Sequence, residues 1–490
     1  MGSTTLIEQT TDLSTPTGGE PPRHEDLYAK RKQIYPKLAH GKFRMVKWIV
    51  MAVTLGVYYG LPWVRWNRGE GIPDQAVLAD FASEKFYFFF IELWPQDIHY
   101  MAGGLILAAL LLFLVTSLLG RVWCGYTCPQ TVWTDLYIWV ERAFEGDRAA
   151  RMRLDNAPWT ANKFARKLGK HIVWLVIAFW TGGAFILYWH DAPTVASGWF
   201  TGDAPLTAYW FAGILTLTTY FLAGTMREQV CTYMCPWPRI QGALTDEQAL
   251  NVTYRYDRGE PRGPKRKSES WDNRGDCIDC NQCVQVCPMG IDIRDGEQLE
   301  CIHCALCIDA CDEIMVKVGR PKGLIAYDTQ IAVAARNEGQ TPPKHRLIRA
   351  RTVVYAVVML AIGGLMAWGL ATKSTIEANV LKDRSPPFVT LSDGRIQNGY
   401  TLKLVNKASE PRTMLLSVSG PEGVSYKVIG MEHDGEGVLE LPVEAFGVDR
   451  YRILVSADAG APRRQVIFTV RDGMTGETDV NMSSFRGAEQ

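Results

Sequence analysis

The spacing of sulfur constrains this chain before anything else does. All twelve cysteines fall in metal-type motifs, with none left over. Two runs read C-x2-C-x2-C-x3-C: Cys277, Cys280, Cys283, Cys287, and then Cys301, Cys304, Cys307, Cys311. Two pairs read C-x3-C-P: Cys124 and Cys128 before Pro129, and Cys231 and Cys235 before Pro236. A cubane cluster takes soft thiolates at tetrahedral corners, and the doubled run is the ligand pattern of a two-cluster ferredoxin. Three cysteines of one run wrap a cluster and the fourth ligand comes from the other run. Cys277, Cys280, Cys283 and Cys311 are therefore expected on one 4Fe-4S cluster, and Cys301, Cys304, Cys307 and Cys287 on a second. A pair of zinc sites is the alternative, and the doubled spacing disfavours it. Pro288 follows the first run, whereas Asp312 follows the second; proline shapes the exit turn and is not a ligand. His303 inside the second run reads as a polar neighbour of the cluster rather than a ligand.

Five stretches are apolar enough to span a hydrocarbon core of ~30 Å, which needs about 20 residues: 48–64, 101–119, 172–189, 204–226 and 352–372. The first is the shortest and contains Pro62. The stretch 86–94 (FYFFFIELW) is too short to cross and reads as interfacial, or as an extension packed on the second helix. Lysine and arginine set the orientation. Arg23, Lys30, Arg31, Lys32, Lys37, Lys42, Arg44 and Lys47 precede the first span, and Arg121, Arg142, Arg148, Arg151, Arg153, Lys163, Arg166, Lys167 and Lys170 follow the second. Residues 190–207 contain neither lysine nor arginine. The N-terminus is expected inside and the C-terminus, after five crossings, outside. Every cysteine then lies on the inner side, where a reducing compartment preserves thiolates. The first span reads as an uncleaved anchor. Balanced charge, 52 basic against 52 acidic residues, gives no field for nucleic acid.

The domains follow from these signals. Residues 1–40 are rich in Thr, Pro, Gly and Glu and are expected to be disordered. Residues 41–250 form a four-helix membrane domain, 251–275 a charged linker, and 276–323 a ferredoxin-like domain. A basic connector (324–351) and the fifth helix (352–372) come next. From 373 to 490, apolar–polar alternation recurs at 400–405, 413–418, 425–429, 437–441, 450–455 and 465–470. That is strand periodicity at sandwich spacing, so the tail reads as an all-β immunoglobulin-like domain with a docking role.

The two C-x3-C-P pairs sit in a repeat. RVWCGYTCPQ follows the second span and REQVCTYMCPW the fourth. Cysteines at i and i+4 share one helical face, and the proline redirects the chain directly afterwards. Two parallel hairpins are expected to bring Cys124, Cys128, Cys231 and Cys235 to one point. Four thiolates there suit copper(I), zinc or another iron–sulfur cluster, or a dithiol–disulfide couple, since a Cα separation of about 6 Å is in the disulfide range. Tyr126 and Tyr233, between the thiols, read as packing residues. His99 and His190 near the outer ends of spans two and three read as interfacial. His171 opens span three without a paired histidine pattern for haem. No flavin, nicotinamide or P-loop fingerprint is present, so the electron donor is bound otherwise or is another protein.

Taken together, a basic N-terminus, twin C-x3-C-P hairpins, a two-cluster ferredoxin insert, a fifth span and a β-sandwich resemble the cytochrome c oxidase accessory proteins CcoG, FixG and RdxA. The resemblance runs from about residue 28 to the C-terminus and includes all twelve cysteine positions. It implies a multi-pass protein of the bacterial inner membrane that supports assembly of the cbb3-type oxidase and reduces Cu(II) to Cu(I). It implies two 4Fe-4S clusters on the eight ferredoxin cysteines, and copper handled at Cys124, Cys128, Cys231 and Cys235. The implied partners are oxidase assembly factors or copper chaperones and a cytoplasmic electron donor, with homo-oligomerisation open. Two rival readings are a quinol dehydrogenase of the polyferredoxin type and a non-catalytic assembly scaffold.

Overall fold

The computed structural model describes residues 33–487 except 70–71, 267–268, 409, 433–434, 436 and 459–462. The expected disorder of residues 1–32, with Arg23, Lys30, Arg31 and Lys32, lies outside the described residues. The rest of that segment, 33–40, is not disordered. It runs extended, with the Lys37 amide donating to Gln285 O at 2.8 Å and the Tyr35 hydroxyl to Asp155 at 2.7 Å.

Among the described residues, five helices are long and apolar enough to cross a membrane: Lys42–Trp63, Pro95–Leu119, Ala161–Ile186, Leu206–Met226 and Ala350–Ala371. The first and third begin well before the expected 48 and 172. Hydropathy stops at lysine and arginine, but here Arg44, Lys47 and Lys170 are buried and paired within the bundle. Arg44 meets Asp135 at 2.9 Å, and Lys170 meets Glu145 at 2.9 Å. Pro62 does not break the first span; it sits in the closing 3-10 segment, Leu61–Trp63, and the Tyr58 carbonyl that its missing N–H leaves free accepts from the Tyr188 hydroxyl at 2.9 Å. Small residues let the spans approach closely. A Cβ on Gly182 would lie 2.8 Å from Ala212 O, joining the third and fourth spans. Gly103 faces Met366 in the same way, joining the second and fifth.

The stretch 86–94 is neither a helical extension nor a loop. It supplies most of an antiparallel meander, Val77–Asp80, Lys85–Phe88 and Ile91–Leu93. Asp80 fixes the first turn by accepting from the Ala82 amide at 2.9 Å and the Ser83 hydroxyl at 2.7 Å. Phe81 and Phe90 project outward from this meander.

On the opposite end of the bundle lies the cysteine-rich domain. Its base is a two-stranded ribbon, Asn251–Tyr254 paired with Ile325–Asp328. The expected boundaries of 276 and 323 cut inside this ribbon, because its strands are too short and too far apart in sequence to signal one another. The tail is a sandwich, as its periodicity predicts. One sheet orders Ser425–Val428, Val448–Ala457, Ile396–Asn406 and Ile376–Lys382, with Val389–Thr390 also pairing to Ile396–Asn406. The other orders Val438–Val443, Arg412–Ser419, Arg463–Asp472 and Thr478–Arg486. All six expected runs are strands; the terminal strands Ile376–Lys382 and Thr478–Arg486 were not among them.

Candidate functional site

Each C-x2-C-x2-C run is wound the same way. Asp279 and Asn281 have φ of 54° and 55°; their counterparts His303 and Ala305 have φ of 52° and 59°. Left-handed residues on either side of Cys280 and Cys304 turn successive amides toward one concavity, a nest suited to an anion. A helix opens after each nest, Gln282–Val286 and Leu306–Lys317. The long second helix carries Cys311 back to the first run. Cys311 feels the charge of Cys283, Cys280 and Cys277, and Cys307 that of Cys304, Cys301 and Cys287. The thiols thus gather three-plus-one, twice. Burial raises five of them: as free thiols Cys283 is pushed up to about 11, Cys287 and Cys301 to about 12, and Cys307 and Cys311 also upward. A metal that displaces those protons relieves the burial cost. Buried sulfur gathered over an anion-seeking nest fits a thiolate-held iron–sulfur cluster.

The four remaining cysteines also converge. Cys124 feels Cys128, Cys231 and Cys235, and Cys231 feels Cys128 and Cys235. Burial holds Cys124 and Cys231 up at about 12, and raises Cys128. The pairs do not lie on one helical face as expected. Cys124 belongs to a short helix, Val122–Tyr126, whereas Cys128 caps the next, Pro129–Glu145, with φ −57° and ψ 128°. Cys235 is extended after a π-helical turn, Val230–Met234. Proline explains both, since it drives the preceding residue out of the helical region. Each motif is an elbow between two helices. Among the described residues, no group of three or more His, Cys, Asp or Glu side chains is drawn together tightly enough for a single metal ion.

The first elbow rests directly on the second cysteine run. A Cβ on Gly125 would stand 2.7 Å from Ile302 O and 2.9 Å from Cys304 Cα. The Tyr126 hydroxyl donates to Cys304 O at 3.2 Å. Cys124 shares a buried apolar cluster with Ile302, Cys304 and Leu306. Gln241, fully buried, accepts from Cys124 Sγ at 3.0 Å, and the Thr131 hydroxyl donates to Cys124 O at 2.6 Å. The set of Cys301, Cys304, Cys307 and Cys287 is therefore proximal to the elbows, and the set holding Cys277 is distal.

The histidines divide. His303 is buried and neutral, its pKa pushed down to about 3 by burial and by Arg121. Its Nδ1 accepts from the Arg121 amide at 3.0 Å, so it stands beside the run as a polar neighbour. His171 bonds to the Tyr220 hydroxyl at 2.9 Å rather than to a second histidine. His99 is turned to Gln96 O at its own helix end. Tyr126 packs against the run, but Tyr233 is exposed, so the repeat is not symmetrical. Arg121, Gln241, Thr131 and Asp309 escaped sequence reasoning. Only the repeat of a basic residue before each elbow, Arg121 and Arg227, hinted at any of them.

Comparison with known proteins places these features in context. Residues 226–330 match a 4Fe-4S dicluster domain, residues 101–145 a 4Fe-4S binding domain, and residues 366–488 the immunoglobulin-like fold at the C-terminus of FixG. Nitrogen fixation protein FixG of Rhizobium meliloti is 50% identical over 461 residues, covering 89% of this chain and 88% of that one. Proteins RdxA and RdxB of Cereibacter sphaeroides are each 48% identical over 439 residues, covering 89% of this chain and 92% and 91% of theirs.

Proposed function

The chain belongs to the FixG/RdxA family, and on that premise we propose that it is a membrane-bound iron–sulfur oxidoreductase that reduces Cu(II) to Cu(I) in support of cbb3-type oxidase assembly. The observation that carries this reading is the seating of the Cys124 elbow on the Cys304 loop. It puts a sulfur quartet, with Cys124 buried and Cys128, Cys231 and Cys235 half-buried, in contact with a cluster-type loop. We assign Cys277, Cys280, Cys283 and Cys311 to the distal cluster and Cys301, Cys304, Cys307 and Cys287 to the proximal one. Cubane clusters bound there supply one-electron storage, with potentials that range over about −700 to +450 mV.

The chain's own residues do the rest. Cys124, Cys128, Cys231 and Cys235 offer copper, the substrate, soft ligands that favour the monovalent product. Cys124, Cys128 and Cys231, whose burial favours the neutral thiol, release protons as they take the ion. Gln241 and Thr131 hold the Cys124 side of the quartet in place. A one-electron donor on the cysteine-rich face supplies the electron that converts Cu(II) to Cu(I). We place that face in the cytoplasm, because Arg142, Arg148, Arg151, Lys163, Lys167 and Lys170 crowd it, and the sandwich outside the inner membrane. The sandwich is then the surface offered to oxidase assembly factors or copper chaperones.

The test is the variant with Cys124, Cys128, Cys231 and Cys235 changed to Ala. It should keep about eight irons and lose copper reduction; unimpaired reduction refutes the assignment. A second reading is favoured by the match of residues 101–145 to a 4Fe-4S binding domain. There the quartet holds a third cluster, and anaerobically purified protein would contain about twelve irons rather than eight.

A further inference from the structure

Arg121 is only 5% exposed, and a cation so buried needs an anion. Most of the other buried cations obey that rule, although Lys163, 6% exposed, is held by the carbonyls Asp155 O at 2.9 Å and Ala157 O at 2.7 Å. Arg44 meets Asp135 at 2.9 Å, Arg151 and Arg227 each meet Glu141 at 2.6 Å, and Lys170 meets Glu145 at 2.9 Å. Arg121 is different. Its guanidinium donates to Leu299 O, to Cys301 O at 3.3 Å and to Pro238 O at 2.8 Å. These are all carbonyls, and among the described residues no carboxylate forms an ion pair with it. Burial acts on it most; among acidic groups Cys124 and Cys301 come first, followed by Glu297 and Glu300, neither of which is within ion-pair distance.

The distal set has a buried arginine too, Arg294, beside Cys283. That charge is cancelled: Arg294 pairs with Asp279 and with Asp292 at 2.5 Å. One cysteine set therefore faces an unneutralised cation and the other a neutralised one. Net charge and hydrogen bonding set the potential of an iron–sulfur cluster, and a nearby cation favours the reduced, more negative state.

We propose that Arg121 is a positioning residue that makes the proximal cluster the one of higher potential, so that an electron entering at the distal cluster comes to rest beside the sulfur quartet. The inference rests on the cluster assignment above. Because the same guanidinium also holds Pro238 O, it ties the second elbow to the proximal loop.

The experiment is a redox titration of the full-length protein, purified without oxygen and followed by EPR. Two reduction waves are expected. Arg121→Met should move the upper wave to lower potential and leave the lower wave in place. Arg121→Lys, which keeps the charge, should retain most of the upper wave's position. Unshifted waves in Arg121→Met with full iron content, or a shift of the lower wave alone, overturn the proposal. If Arg121→Met does not assemble, Cys280→Ser carries the test by altering the distal cluster. The lower wave must then change, and a change confined to the upper wave overturns the proposal. Wild-type protein with iron for fewer than two cubanes strikes the cluster assignment itself.

Discussion

Gly125 shows how much depends on a single missing side chain. The close approach of the Cys124 elbow to Ile302 O and Cys304 leaves no room for a methyl group, and both neighbours are backbone that cannot swing aside. Gly125→Ala should therefore part the elbow from the loop at a cost of about 1–3 kcal/mol. Its clusters should persist while copper reduction falls; equal activity with an unchanged melting temperature would contradict the contact. The thiols make a second residue-scale prediction. Cys124 and Cys231, held up at about 12, stay protonated in the fold, whereas an unfolded thiol ionises near about 8.5. Between those values the folded chain binds more protons than the unfolded one, so this contribution to stability is present below about pH 8.5 and is lost as pH rises toward 12. Copper-free protein treated with iodoacetamide at pH 8 should label these two cysteines far more slowly than free cysteine. Labelling at the rate of the free amino acid would show the burial to be wrong.

Among the secondary-structure elements, the first span is capped by another domain. Its N-cap, Gly41, has no side chain to offer, and Asp309 supplies one from the helix Leu306–Lys317. The carboxylate accepts from the Phe43 amide at 3.3 Å and the Arg44 amide at 2.7 Å. A carboxylate there also faces the positive end of the helix dipole. Loss of a cap costs about 1 kcal/mol, so Asp309→Ala should lower the melting temperature, with Asp309→Asn, which keeps one acceptor for the two amides, recovering part of it. Identical melting of Asp309→Ala and wild type would mean the cap carries no weight. The same bond locks the helix that bears Cys307 and Cys311 to the membrane bundle, so a cap between elements doubles as alignment of the site.

For the molecule as a whole, the cysteine-rich domain and the sandwich occupy opposite ends of the bundle, joined by a fifth span in whose apolar window no residue is fully buried. One face packs on the second span, Met366 against Gly103 and Gly369 against Tyr100, and the rest is left for lipid. The sandwich keeps its own core, drawn from residues between Ile376 and Phe485, and meets the bundle through Lys373, whose ammonium is 2.5 Å from Asp97. Reporter fusions check the orientation. A reporter active only in the cytoplasm should work when fused after Asn337 and fail at the C-terminus; one active only outside should behave oppositely. The reverse pattern would invert the proposed orientation.

Motif spacing alone predicts that Cys311 joins the first run and Cys287 the second, because ligand intervals are a local property of sequence. Alternation disclosed the sandwich and hydropathy the five spans for the same reason. Local signals misjudged where spans one and three begin, since a buried lysine looks forbidden until Asp135 or Glu145 comes from elsewhere to neutralise it. They also missed the ribbon of Asn251–Tyr254 with Ile325–Asp328, the cap from Asp309, and the carbonyl cage around Arg121. Those depend on groups far apart in the chain meeting in a low-dielectric interior, where the partner decides whether a charge is tolerable. Sequence determined which sulfurs are available to hold metal; only the tertiary structure decided which set lies against the quartet and which buried cation faces it without a counter-charge.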